Sequence, residues 1–236
     1  DLIDIPLPDE LFNLDIFDGS PPCSTFSSSG LREKAWGKKK HFREGQAKQV
    51  LDDLFFDFID VAERLQPKVI VAENVSGMLK GNAKGYLIEI AKKLKKIGYE
   101  TQIFLLDSST MGVPQKRRRV FIVANRMKFD KLILDFDMKP IVFKQIDEGN
   151  IKRTNKIANC DLNYWNKTKP GKSIASVHPK GNRFNSMKLA HNKVPPTVMA
   201  GNELYHPQYE RALSDKELCL IGSFPLDYNF LNIKPK

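Results

Sequence analysis

Four short apolar runs of strand length, separated by stretches of helical spacing, constrain this chain more than any other feature. They are Asp15-Ile-Phe-Asp18, Val69-Ile-Val-Ala72, Thr101 to Leu106 and Arg119-Val-Phe-Ile-Val-Ala124. The second is continuously apolar, as expected of a strand covered on both faces in a parallel sheet. Between the first and second, apolar residues fall at 47, 50, 51, 54, 55, 58, 59, 62 and 65, with Pro67 just beyond. That spacing predicts a helix over Gln46 to Leu65. Between the second and third, Leu87, Ile90, Ala91 and Leu94 share one face of a helix predicted over Ala83 to Ile97, with Gly98 as its stop. Strand–helix–strand–helix–strand predicts an α/β layer fold with right-handed crossovers. The short link before the last run predicts an antiparallel hairpin at one edge of an otherwise parallel sheet.

Beyond Asn125 the texture changes. Asn150 to Asn192 is rich in Lys, Asn, Ser and Gly and has few periodic runs. It predicts a small second domain of irregular structure and short strands. Leu213 to Gly222 reads as a capped helix: Ser214 is the N-cap, and Glu217 three residues on completes a capping box. Ser223-Phe-Pro225 ends it. The expected organisation is an α/β domain over 1–125, incomplete at its N-terminal side, a small domain over 126–194, and a return to the first over 195–236.

A chain of 236 residues, 41% hydrophobic and 28% charged, can bury one good core and is not disordered throughout. Its three cysteines, Cys23, Cys160 and Cys219, lie far apart, which argues against a disulfide framework and for a reducing compartment. His41, His178, His191 and His206 show no metal-ligand spacing, so no metal is expected. No stretch of about 18 apolar residues could span a membrane, and no signal peptide opens the chain. A cytoplasmic location is the expectation. Asp1-Leu-Ile-Asp-Ile reads as a strand entered midway without an initiator methionine, as in a fragment or processed product.

The net charge of +10 and pI near 9.4 fall in the range of nucleic-acid binders. Lys38-Lys-Lys-His41, Lys116-Arg-Arg-Arg119 and the lysines from Lys152 to Lys193 sit in expected loops. Lys92, Lys93, Lys95 and Lys96 instead sit among acids on one helix and read as a solvated face.

Chemistry concentrates at strand ends. After Asp18, Gly19 breaks the strand, Pro21 and Pro22 stiffen the backbone, and Cys23 follows at once. A thiol on a stiff turn at the carboxyl end of a strand is placed to attack something in a crevice. A buried structural thiol is the competing reading of a lone cysteine. Leu31 to Gly45 is too long and basic for a simple connection, and reads as a mobile functional loop or a disordered one. Glu73 closes the second strand, and Gln115-Lys-Arg-Arg-Arg119 opens the fourth. On one sheet these would share a crevice rim. Taken singly, Glu73 would more often be a helix cap or ion-pair partner, and Arg117 to Arg119 a solvated basic run.

Five stretches carry a resemblance. Pro21-Pro-Cys-Ser-Thr-Phe-Ser27, Glu73-Asn-Val75, Gln115-Lys-Arg-Arg-Arg119 with Val-Phe-Ile-Val, Pro195-Pro-Thr-Val-Met-Ala-Gly201, and Arg211-Ala-Leu-Ser with Glu217 and Phe224-Pro225 occur in this order. Together they resemble the C5-cytosine DNA methyltransferase family of bacterial or phage type. The resemblance implies a partial Rossmann-like methyltransferase sheet with a small, irregular target-recognition domain at 126–194.

It further implies a DNA (cytosine-5-)-methyltransferase of restriction–modification kind, using S-adenosylmethionine on double-stranded DNA in a bacterial or phage-infected cell. Cys23 would attack cytosine C6, Glu73 would stabilise the ring at N3, Arg119 would hold O2, and Arg117 would position Glu73. The base must leave the stack first, at a cost of a few kcal/mol. Ser27, Ser29, Gln115 and Thr197 map onto DNA-contacting positions. Asp1 and Pro22 map onto the edge of the cofactor site. Ser24 stands where many members carry Gln. The Gly-rich cofactor loop of the family is not found here, so either flanking sequence or a second polypeptide would complete the enzyme. Two other readings fit the same residues: a tRNA cytosine-5 methyltransferase, although the Cys-Phe-Thr tripeptide of that group is absent, and a non-catalytic DNA-recognition fragment.

Overall fold

The structure, a computed structural model, describes residues 6–22, 54–81, 83–151, 157, 159–183, 185–199 and 203–230. Two compact units divide it: 1–106 with 118–135, and 107–117 with 136–236.

The first unit is built on a four-stranded sheet. Strand β1 (Ile16–Gly19) pairs in parallel with β2 (Val69–Val75). Helix α1 (Leu54–Leu65) lies between them in sequence, and α2 (Ala83–Lys96) follows β2. Strands β3 (Glu100–Asp107) and β4 (Arg118–Asn125) complete a sheet of order β1-β2-β4-β3. The α/β layer fold expected from the strand–helix alternation is present.

The expected edge hairpin is present: β3 and β4, consecutive in sequence, are hydrogen-bonded neighbours at one edge of the sheet. On its other side β4 pairs antiparallel with β2, from Val69↔Asn125 to Val75↔Arg119, so β3 is the outer strand. Burial accords with this order: Val120, Ile122 and Ala124 are at most 1% exposed, whereas Ile103 and Leu105 of β3 are each 41% exposed. The strand with the stricter apolar alternation is the one that goes to the middle.

One sheet face carries Phe17, Ile70, Ala72, Val120, Ile122 and Ala124, which pack with Phe55, Ile59 and Ala62 of α1 and Leu87, Ile90 and Leu94 of α2. At the end of β1 the approach is so close that only glycine fits. A Cβ on Gly19 would lie 2.6 Å from Phe58 Cε2, and the Phe58 ring stacks on Phe17 at 4.7 Å. Helix α2 ends as its sequence indicates: Gly98 has φ +94°, its N–H bonds to Lys95 O, and Tyr99 N–H bonds to Leu94 O. The Tyr99 hydroxyl, buried, donates to Pro67 O at 2.6 Å.

The second unit holds α3 (Asn159–Lys167), a three-stranded sheet of β5 (Lys172–Ser173), β6 (Met187–Lys188) and β7 (Leu204–Tyr205), and α4 (Asp215–Ile221). Phe143, Leu189, Leu204, Leu213 and Ile221 form one core, and Ile157, Trp165, Ile174 and Tyr205 another. The expected capping box is formed: Ser214 Oγ accepts from Glu217 N, and Glu217 accepts from Ser214 N.

Candidate active site

The polar groups of the first unit gather where β1 ends beside β2. Residues alternate across a strand, so Glu73 of β2 and Arg119 of β4 project from the face opposite the two helices. They are diagonal neighbours in the register, since Val75 faces Arg119 and Glu73 faces Phe121. Arg119 Nε donates to Glu73 Oε1 at 2.7 Å, with side-chain exposures of 21% and 28%. Arg119 Nη1 also donates to Arg118 O at 2.9 Å. Among the described residues, Glu73 Oε2 and Arg119 Nη2 make no further bond. Among the described residues the pair is therefore joined on one side and open on the other.

Asn74 fastens the chain leaving β1 to the end of β2. Its side chain, 4% exposed, donates from Nδ2 to Pro21 O at 3.0 Å and accepts from Val75 N at 2.9 Å. A buried amide satisfied on both sides holds its partner firmly. The Pro-Pro segment is thereby tied to the residue next to Glu73. Pro22, also assigned to the cofactor site, is exposed. Cys23, Ser27, Ser29 and Asp1 lie outside the described residues, as does Leu31 to Gly45.

The remaining sequence-assigned residues belong to the second unit. Arg117 is exposed, and its backbone N–H and carbonyl bond to Ser108 Oγ and Ser108 N at 3.2 and 3.1 Å. Gln115 is 7% exposed, and its amide donates to Ile221 O at 3.1 Å. Reaching DNA would require breaking that bond. Thr197 Oγ1 donates to Lys116 O at 2.9 Å, and Lys116 N donates to Pro195 O at 2.8 Å. Gln115 to Arg117 and Pro195 to Thr197 are thus brought side by side, although some 80 residues separate them in sequence.

A buried polar network in the same unit escaped the sequence reading, which saw Glu217 as a capping residue and, with Arg211, as part of a motif. Arg211 and Glu217, 4% and 0% exposed, form a bidentate pair at 2.7 and 2.8 Å. Glu217 also accepts from Ser214 N and Glu148 N, and Arg211 donates to Gly149 O. Beside them, Asp147 accepts from His206 Nε2 at 3.0 Å and from His191 Nε2 at 2.9 Å. Burial alone would raise the Asp147 pKa, but bonds from Gly149 N–H and the two imidazoles outweigh it and hold the carboxyl below its usual range. The Ser214 hydroxyl and Lys216 likewise lower Glu148. Burial depresses His206, more than the neighbouring carboxylate restores it. Only an Arg-x5-Glu spacing hinted at this cluster.

Asp147, His191 and His206 bring one potential ligand atom each to within 4.8 Å of the others. Their hydrogen bonds do not suit a metal. His206 Nδ1 accepts from Gln208 N and Tyr209 N at 3.0 and 2.9 Å, so its proton resides on Nε2 and is given to Asp147. A cation on Nε2 would displace that proton and leave an imidazolate. Arg211, 3.8 Å from Asp147 Oδ1, already places a positive charge there.

Comparison with known proteins names the family. The C-5 cytosine-specific DNA methylase model matches residues 2–147, more than half of the chain, and the chain belongs to this family. Type II methyltransferase M.AplI of Arthrospira platensis is 37% identical over 110 residues, covering 47% of this chain and 28% of that one. Type II methyltransferase M1.HphI of Haemophilus parahaemolyticus is 23% identical over 240 residues, covering 94% and 62%. The chain thus spans less than a third of the first relative and about three fifths of the second.

Among solved structures, a DNA modification methyltransferase candidate encoded within an E. coli prophage superimposes with TM-score 0.63 at 16% identity, covering 89% of this chain and 69% of that one. The S. pombe Dnmt2 methyltransferase does so with TM-score 0.56 at 14% identity, covering 94% and 70%. At these identities the likeness speaks for the fold. Among the described residues, no helix is long and apolar enough to cross a membrane.

Proposed function

We propose that this chain is the catalytic and target-recognition portion of a DNA (cytosine-5-)-methyltransferase, with 1–125 and 195–236 serving catalysis and 126–194 recognition. The observation that carries the reading is the Glu73–Arg119 pair, open on one side among the described residues, with the Pro21 carbonyl held by Asn74, the next residue of β2. Cytosine C6 is a poor acceptor, so the attacking group must be a thiolate, and Cys23 follows the tethered prolines directly. As the Cys23 sulfur bonds to C6, electron density moves into the ring. Glu73 Oε2, sharing a proton with ring N3, stabilises it, and Arg119 Nη2 faces O2 as a charge-assisted donor. Arg117 serves as a positioning residue. C5 becomes nucleophilic and takes up a methyl group, then loses its proton to a base; the C6–sulfur bond breaks and returns the thiolate. The target must be flipped out of the duplex for any of this.

S-adenosylmethionine is the methyl donor in this reading. Of the residues assigned to it, only Pro22 is described, and a single exposed proline without an N–H is not a binding site. Ser27, Ser29, Gln115 and Thr197 are assigned to DNA.

The test is covalent trapping on duplex DNA containing 5-fluorocytosine in the presence of S-adenosylmethionine, because fluorine cannot leave C5 as a proton would. The expected result is a stable protein–DNA adduct that Cys23→Ser abolishes. An adduct that persists in Cys23→Ser sinks the nucleophile assignment. Adduct formation on 5-fluorocytosine tRNA but not on duplex DNA would move the substrate to RNA.

A further inference from the structure

The second unit carries a group of amines with no acidic partner among the described residues. Residues Lys169-Pro-Gly-Lys172 make a tight turn closed by Lys172 N–H to Lys169 O at 3.1 Å, with Gly171 at φ +79°. Proline followed by a positive-φ glycine is the signature of a type II turn, whose ends lie within about 7 Å. The turn is locked to the sheet, because Gly171 N–H is shared between Lys188 O at 2.8 Å and Leu189 O at 3.1 Å. Lys193 folds over it: a Cβ on Gly171 would lie 3.0 Å from Lys193 Nζ. Glycine is thus needed both for the backbone and for the passage of the lysine.

Beneath the turn lies Lys188. The β5–β6 register sets Lys172 directly opposite Lys188, so both side chains leave the same face. Lys188 is 7% exposed; its ammonium sits 3.7 Å from the Trp165 ring centre and donates to Trp165 O at 3.2 Å. Burial lowers its pKa. Lys169, Lys172 and Lys193 are exposed, and among the described residues none of their amines meets a carboxylate. Glu203, near β6, gives its carboxylate to the Tyr205 hydroxyl.

Like charges directly opposite in a sheet cost stability, and among the described residues no carboxylate meets this pair. A rigid turn that holds several amines toward solvent without counter-charge suits a polyanion that supplies its own. We propose that the Lys169–Lys172 turn, with Lys193 folded across it, is a phosphate-backbone contact for double-stranded DNA. This inference rests on the methyltransferase reading and adds to it a surface that positions the duplex without reading its sequence. Lys188, held against Trp165, anchors the turn through its carbonyl.

The experiment measures binding of the 236-residue chain to a short fluorescein-labelled duplex by anisotropy across a salt series, with adduct trapping in parallel. Each phosphate contact contributes about 0.9 to the slope of log affinity against log salt, so Lys169→Gln/Lys172→Gln/Lys193→Gln should flatten the slope by about 2.7. Affinity should fall alike for unrelated sequences. The control Lys84→Gln/Lys95→Gln/Lys96→Gln removes the same charge from α2 and should leave the slope unchanged. Circular dichroism verifies folding of both triple variants, and Gly171→Ala, which pushes Lys193 aside without altering charge, should flatten the slope by about one contact.

An unchanged slope in the first variant, with adduct still formed by the wild type, overturns the surface and leaves the methyltransferase reading intact. An equal loss in the α2 control assigns the effect to net charge and also overturns it. Tighter binding of the wild type to RNA, lost in the same variant, overturns the assignment to DNA. A wild type that neither binds duplex nor forms an adduct removes the parent reading, and this one with it.

Discussion

Replacing Glu217 by Gln tests whether the Arg211–Glu217 pair holds the second unit together. The substitution keeps the shape of the side chain, so no cavity arises, and it removes one negative charge. The Glu217 carboxylate accepts from Arg211 Nη2 and Glu148 N through Oε1, and from Arg211 Nη1 and Ser214 N through Oε2. Whichever oxygen becomes an amide nitrogen, two donors then face a third, and a guanidinium only 4% exposed loses its bidentate counter-ion, keeping only Asp147 at 3.8 Å. Breaking one side of a buried pair costs about 3–5 kcal/mol. Taking each lost bond to a charged partner as about 1.5 kcal/mol gives about 3 kcal/mol, in agreement.

Trp165, buried in the same unit, reports the transition by its fluorescence in urea. A drop in unfolding free energy of about 3 kcal/mol at unchanged slope is expected. Arg211→Met combined with Glu217→Leu should recover much of it, since an apolar pair leaves no stranded charge. A loss under about 1 kcal/mol for Glu217→Gln, or strict additivity in the double variant, would refute the reasoning.

Three further outcomes follow from the geometry. Glu73→Gln keeps the site's shape but cannot share a proton with ring N3, so the trapping rate should fall by on the order of 10²–10³; an unchanged rate would exclude Glu73 as the activating acid. Gly19→Ala should destabilise the first unit by about 1–3 kcal/mol, because the new methyl collides with Phe58, and Phe58→Leu should restore part of it. The second unit should weaken in acid. His206 has its pKa lowered below 6.5 by burial, so the unfolded chain takes up the proton first; stability is full above that value and is lost as pH falls through the depressed folded one. Asp147 and Glu148, held below 3.8 and 4.5, lose their contribution at still lower pH. A Trp165 urea midpoint that stays flat from pH 7 to pH 5 would contradict the His206 part.

Local features of the chain were legible from the residues alone. The apolar spacing of α2, the glycine stop at Gly98 and the Ser214–Glu217 capping box depend on neighbours within a few positions, and each formed as its sequence indicates. The ordered motifs indicated the family in the same way, because each lies within a short stretch of chain. What spans the chain needed the tertiary structure. The placement of β4 inside the sheet was decided by competition between two apolar strands for burial, which neither reveals separately. That Arg119 pairs with Glu73 followed from the β2–β4 register, a fact about pairing and not about composition. The Asp147–His206–Arg211–Glu217 network joins residues up to about 70 positions apart, and Lys172 met Lys188 only once the register of β5 and β6 was set. Periodicity and capping act over one or two turns of chain, whereas register, burial and charge pairing are settled only when distant segments compete for the same space.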